Sequence, residues 1–437
     1  MTRISAQRNR LVSLVGIASL AVVMSLAFVA CQQLLVAQPE QSLVVYEPQI
    51  KVRLEQGIGR AELKGDGYVR VDSDNTSTYL LPLPVQIRMG EDAIYLEGED
   101  ATVRRVAIDN ATLVACVLTP DPDRPIDINE VRCVWPIEVV VTTQDAKRTM
   151  DLVERVPLES YLPGVLAHEL YPSWSPVAFR AQAIAARSYA LHEMQRRDRL
   201  NAHFHVERTT QDQAYGGQTD NQRAIEAVRD TRAVVLTYNN HLLRTYYSST
   251  CGGRAGSARH TWPTTVGFGF NLDAPIQAHQ RRCPCEASPR YRWTRTRDAR
   301  RYARRLASFG ASRGLRIKSL GSIESIEPTR WNIDGRPSLF TIKDTSGSVY
   351  SLSPENLRLA SNFNQNSSLP TITQKERVLS GDIVVTRDGS SVHIEGRGFG
   401  HGVGMCQFGA QGLALEGYTP SQILTHYYPG AVLERAY

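Results

Sequence analysis

Ser175-Pro176-Val177-Ala178-Phe179-Arg180-Ala181-Gln182-Ala183-Ile184-Ala185-Ala186-Arg187-Ser188-Tyr189 is the stretch that sets the architecture of this 437-residue chain. Serine followed by proline reads as a helix cap with proline at the first helical position, where a backbone N–H has no helical partner anyway. The helix is expected to run from Val177 to about Arg196. Ala178, Ala181 and Ala185 form a shallow stripe that lets another backbone approach closely.

The pattern differs on the two sides of this helix. Upstream, residues 42–149 read as short strands with frequent turn residues. Examples are Ile50-Lys51-Val52-Arg53-Leu54, Val85-Gln86-Ile87-Arg88-Met89 and Ile137-Glu138-Val139-Val140-Val141, with period-two alternation. Downstream, the expectation is a helix over Asn221–Arg229, strands over Ala233–Tyr238 and Leu242–Tyr247, a basic helix over 297–307, a hairpin over Leu339–Leu352 and a loop over Asn362–Leu369. The expected fold class is α+β. A β-rich N-terminal domain (42–149) precedes a mixed α/β catalytic domain (150–437) that closes with a glycine-rich strand and helices.

The amino terminus indicates export. Arg3, Arg8 and Arg10 precede an uncharged run of 21 residues from Leu11 to Cys31. That length can cross a bilayer core as a helix, and the arginines place residues 1–10 in the cytoplasm. A retained transmembrane anchor, a cleaved signal and a lipoprotein attached at Cys31 all fit, so the rest of the chain is expected membrane-anchored or secreted, facing the periplasm or cell wall. The net charge of +6 is mild for this length and suits contact with an anionic membrane or wall. No aromatic-and-basic motif argues for nucleic acid.

Just before the alanine-rich helix lies Leu162-Pro163-Gly164-Val165-Leu166-Ala167-His168-Glu169-Leu170-Tyr171-Pro172-Ser173-Trp174. No lysine or arginine falls between Arg155 and Arg180 to pair with Glu169. A carboxyl in apolar and aromatic company keeps its proton to higher pH, which prepares a general acid. A second signal is Gly396-Arg397-Gly398-Phe399-Gly400-His401-Gly402-Val403-Gly404, with glycine at every other position. Extended, it would put Arg397, Phe399, His401 and Val403 on one face and leave the other bare for a flat ligand. Helices are expected from Met405 to Glu416 and from Thr419-Pro420 to Pro429-Gly430. A third signal is Tyr246-Tyr247-Ser248-Ser249-Thr250-Cys251-Gly252-Gly253-Arg254, where Ser248 and Ser249 read as substrate-positioning hydroxyls.

The cysteines would meet an oxidising compartment. Cys116 and Cys133 flank a Pro/Asp-rich loop and are expected to form a disulfide. In Cys283-Pro284-Cys285, a bond between residues two apart would be strained. Two arrangements stay open: a disulfide from Cys251 to Cys283 or Cys285, or a structural zinc on Cys251, Cys283 and Cys285 completed by His260, His401 or Cys406.

These segments together resemble the stage II sporulation protein D family, also called the amidase enhancer family. The resemblance rests on Leu158–Glu169, Ala181–Ala190, Gln213-Ala214-Tyr215-Gly216-Gly217, Tyr247–Arg254 and Gly396–Gly412, in the family's order across roughly 150–437. Where the family usually has Glu-Met-Pro, this chain has Glu169-Leu170-Tyr171-Pro172, one residue longer. The resemblance implies a lytic transglycosylase of peptidoglycan glycan strands, stripped of stem peptides in sporulating members. Glu169 would be the catalytic acid, and the products would end in 1,6-anhydro-N-acetylmuramic acid. Tyr215, Ser248, Ser249, Arg397 and His401 are then candidates to hold the glycan. The family's second name implies the alternative of a non-catalytic activator of a cell-wall amidase. No cofactor is required for the chemistry.

Overall fold

A computed structural model describes residues 46–73, 77–108, 114–121, 123–365 and 368–437. The apolar run and Cys31 lie outside them. Among the described residues no helix is long and apolar enough to cross a membrane. Helices and strands are mixed and the N-terminal region is β-rich, so the α+β class holds.

Residues 46–437 pack as one compact unit. A seven-stranded sheet runs in the order Val206–Glu207, Gln49–Ile58, Lys147–Pro157, Ile137–Gln144, Val114–Pro120, Tyr68–Ser73, Ser77–Pro82. Its first pair is parallel and the rest antiparallel. The expected alternation is visible in Gln49–Ile58, where Ile50, Val52 and Leu54 point inward. Lys147–Pro157 straddles residue 150, and Val206–Glu207 returns from beyond the helices, so this sheet draws strands from both sides of the sequence boundary near 150.

The helix foreseen from Ser175-Pro176 is Pro176–Arg199, with the Ser175 hydroxyl accepting from the Val177 N–H at 3.2 Å. One side of it packs in the core beneath the large sheet through Phe179, Ala183, Ala186 and Ala190. The other packs in a second core through Ala181, Ile184, Ala185 and Tyr189. A helix buried on both sides is apolar or small nearly all round, which is why its sequence lacks a polar stripe. Gln182, His192 and Glu193 are buried polar exceptions, and Arg187 is another, fully buried. Its guanidinium meets Glu159 twice (2.9 and 2.7 Å) and donates to the carbonyls of Val228 and Val234. That satisfies a charge which would otherwise be costly to bury.

A helix not foreseen from the sequence, Leu158–Glu169, precedes it. It holds Pro163 in its interior, where a hydrogen bond is missing. Burial of Leu158, Tyr161, Leu162, Val165 and Leu166 offsets that loss, because each side chain of this size contributes about 1.5–3 kcal/mol when fully buried. Of the remaining expected elements, four appear as Gln222–Asp230, Val234–Tyr238, Ala299–Ser312, and Pro337–Asp344 paired with Val349–Leu352, whereas the strand expected over Leu242–Tyr247 is reduced to the two-residue pieces His241–Leu242 and Tyr247–Ser248. A third core, around Tyr302, Leu306, Phe340 and Ile394, serves residues 293–394.

The glycine-rich run departs from its reading. The strand Ser391–Arg397 takes in only its first two residues, and Gly398, Gly400, Gly402 and Gly404 all take positive φ (75°, 98°, 75° and 68°). An extended strand cannot carry four such residues, and only glycine adopts them readily. Nor is the glycine side bare: a Cβ at Gly398 would lie 2.3 Å from the Thr250 carbonyl, and one at Gly404 2.0 Å from that of Tyr246. The run is therefore pressed against residues 246–256, and the space read as a ligand surface is filled by backbone. The helices after it match expectation, as Gln407–Leu415 and Pro420–Tyr427.

Candidate functional site

Glu169 is the last residue of the unforeseen helix and is half-buried. Its Oε1 accepts the Ala214 backbone N–H at 3.2 Å, and its Oε2 accepts the Gln407 amide at 3.0 Å. Among the described residues no lysine or arginine makes an ion pair with it. Burial pushes its carboxyl above the ordinary range, and the bonds from Gln407 and Ala214 pull back only part of that.

Both partners are fixed by structure that the sequence pattern does not announce. Ala214 follows Gln213, which is fully buried. The Gln213 side chain accepts from the Tyr161 hydroxyl (3.1 Å) and donates to the Ala186 carbonyl (3.2 Å) and the Tyr247 hydroxyl (3.0 Å). It thereby ties the two long helices to the strand Tyr247–Ser248. Gln407 opens the helix Gln407–Leu415, whose N-cap is Cys406, and the next amide, of Phe408, donates to the Ser249 carbonyl at 3.1 Å. A neutral amide such as Gln407 carries no charge or spacing signal, although it falls within the stretch that carried the family resemblance.

Beside the carboxyl stands an aromatic group. Tyr171 and Trp174 (ring centroids 5.4 Å apart) come from the loop after Glu169, and Phe408 lies 5.9 Å from Tyr171 and 4.9 Å from Trp174. Tyr171, two residues after Glu169, is 54% exposed, so its ring is open to solvent, while Trp174 beneath it is buried.

The other sequence candidates lie elsewhere. Tyr215 is in the core: its ring packs on Tyr161 at 4.9 Å and its hydroxyl donates to Glu154 at 3.0 Å, so it has no face for a glycan. Ser248 is buried with its hydroxyl accepting the Gly402 N–H at 3.1 Å, which makes it part of the support of the glycine-rich run. Ser249 is half-buried and supports the Gln407 helix through its carbonyl. Arg397 ends its strand, half-buried, near Arg254 and Asp382. His401 meets Trp262 edge-on with ring centroids 4.8 Å apart, and its Nδ1 accepts the Val403 N–H at 3.0 Å. Burial holds its imidazole down to about 4, hence neutral. It lines a small recess with Ser257, His260, Arg336 and Glu355 that does not include Glu169.

The described cysteines are free thiols. Cys116 lies on the strand Val114–Pro120 of the large sheet. Cys133 is carried by the separate two-stranded ribbon Ile126–Ile128/Val131–Cys133 to a place beside Glu154. The expected bond between them is thus not formed, because the chain after the Pro/Asp-rich loop enters a different sheet. Cys251, Cys283 and Cys285 do converge, and Cys406 joins them rather than His260 or His401. The four sulfur atoms lie within 4.8 Å of one another, all buried.

Comparison with known proteins agrees with this arrangement of segments. Residues 146–238 match the family model described as stage II sporulation protein. A protein of Brachyspira hyodysenteriae is 29% identical over 284 residues, covering 64% of this chain and 68% of that protein. The stage II sporulation protein D of Bacillus subtilis is 26% identical over 298 residues, covering 65% and 76%. The amidase enhancer of the same organism is 29% identical over 294 residues, covering 62% of this chain but only 40% of that protein.

Proposed function

We propose that this chain, which is similar to the stage II sporulation protein family, is an exported lytic transglycosylase that cuts peptidoglycan glycan strands with Glu169 as acid and base. The observation that carries this reading is a half-buried carboxyl, raised in pKa and, among the described residues, paired with no lysine or arginine, beside the exposed Tyr171 ring. Ordinary glycosidases need a second carboxyl for water or for a covalent intermediate. An intramolecular nucleophile removes that need. Protonated Glu169 gives its proton to the glycosidic oxygen as the bond from the N-acetylmuramic acid C1 breaks. The resulting carboxylate is held by Ala214 and Gln407, whose donors favour the ionised form. It then takes the proton of the same sugar's C6 hydroxyl as that oxygen bonds to C1, closing a 1,6-anhydro ring and restoring the acid. Tyr171, with Trp174 and Phe408 behind it, offers a ring face on which a sugar can stack.

The similarity to an amidase enhancer supports a second reading, in which the same surface binds wall glycan and recruits an amidase without chemistry. Purified protein and its Glu169→Gln variant on peptide-free glycan strands separate the two. The enzyme reading expects cleavage by the first and loss of it in the second. No cleavage by either, with stimulation of an added amidase by both, favours the activator.

A further inference from the structure

The geometry points to a structural zinc ion held by the thiolates of Cys251, Cys283, Cys285 and Cys406, clamping the segment that carries Gln407 onto the rest of the domain. The four cysteines come from three distant parts of the chain and all are buried. The Cys251 sulfur is 3.3 Å from that of Cys283 and 3.7 Å from that of Cys285. Four thiolates at about 2.3 Å from zinc place their sulfur atoms about 3.8 Å apart in a tetrahedron. The surroundings supply donors aimed at sulfur, as the second shell of a thiolate site does. The Cys251 and Gly409 N–H groups point to the Cys406 sulfur at 3.3 and 3.4 Å, and the Tyr427 hydroxyl lies 3.2 Å from that of Cys283.

The packing is built around the same point. A Cβ on Gly409 would lie 2.5 Å from the Cys283 sulfur, and one on Gly412 2.3 Å from the Pro284 carbonyl. The Gln407–Leu415 helix thus rests on the Cys283-Pro284-Cys285 turn through two glycines. With four buried protein ligands no coordination position is left for substrate, so the role is structural. Cys406 is joined directly to Gln407, and Gln407 to the Glu169 carboxyl. Metal binding therefore fixes the end of the site that the sheet does not reach.

The test is metal analysis of the full chain, purified without chelators, together with a thiol titration. About one zinc per chain is expected, released in step with mercurial modification of four thiols. Iron in place of zinc, or no metal with these four sulfurs already oxidised, overturns the proposal. Stripping zinc from intact protein is expected to speed amide hydrogen exchange over residues 403–412 while residues 50–54 stay protected. Unchanged exchange over 403–412 would refute the clamp even if zinc is present. A Cys285→Ser variant that folds should lose stoichiometric zinc. None of these readouts depends on cleavage, so they can fail while the assignment of Glu169 stands.

Discussion

Glu154 and Glu169 are two glutamates of similar local chemistry and opposite prospects. Each accepts two hydrogen bonds: Glu154 from the Tyr215 hydroxyl and the Trp135 N–H, Glu169 from Gln407 and Ala214. Burial raises both, Glu154 to about 7. The difference is access. Glu154 is fully buried beneath Tyr215, whereas Glu169 ends a helix beside the exposed Tyr171 ring. A raised carboxyl alone therefore does not mark a site, and a place for substrate must accompany it.

The largest expected contrast is in rate. Glu169→Gln should lower cleavage of naked glycan by about 100- to 10,000-fold, whereas Glu154→Gln, once folded, should stay within a few-fold of the unmodified protein. Equal losses in steady-state assays would collapse the distinction. In the unmodified protein, cleavage should fall as pH rises through the raised pKa of Glu169, since the acid must be protonated to act.

Stability should reverse the ranking. A carboxyl raised in the folded state from 4.5 to about 7 binds its proton more tightly there than when unfolded. Its stabilising contribution is full below about pH 4.5 and lost as pH rises through about 7. The change is about 3 kcal/mol at ~1.4 kcal/mol per pKa unit. Denaturant melts at pH 5 and pH 8 should show this fall, and Glu154→Gln should flatten it. A variant with the same pH slope would place the titration elsewhere.

A smaller effect tests the Tyr171 ring. Tyr171→Ala removes an exposed ring and should raise KM up to about tenfold with kcat little changed. A loss confined to kcat would argue that the ring acts on the transition state instead. Smallest of all, Tyr215→Phe deletes one hydrogen bond to Glu154 and should cost about 1 kcal/mol of stability. Glycan binding measured by co-sedimentation should not change, and weakened binding would restore Tyr215 as a ligand contact.

Legibility in the sequence followed how local each cause was. Ser175-Pro176 marked its helix because capping is a short-range effect. Leu158–Glu169 was hidden by Leu162-Pro163-Gly164, a turn-like triplet overridden by five buried apolar side chains. The glycine run misled because alternate glycines mimic a strand's period while their positive φ denies it. Glu169 stood out by its missing cation, which is visible in sequence. Gln407 and Gln213 did not, since a buried amide acts through partners dozens or hundreds of residues away. Cys406 was one of three candidates until the fold placed His260 and His401 elsewhere.

The central claim is that Glu169 drives ring closure by the sugar's own C6 hydroxyl rather than attack by water. Cleavage of peptide-free glycan in oxygen-18 water, followed by mass spectrometry of the new ends, tests it directly. The account predicts anhydro ends with no label. One oxygen-18 at each new reducing end would contradict it and require a second group to activate water.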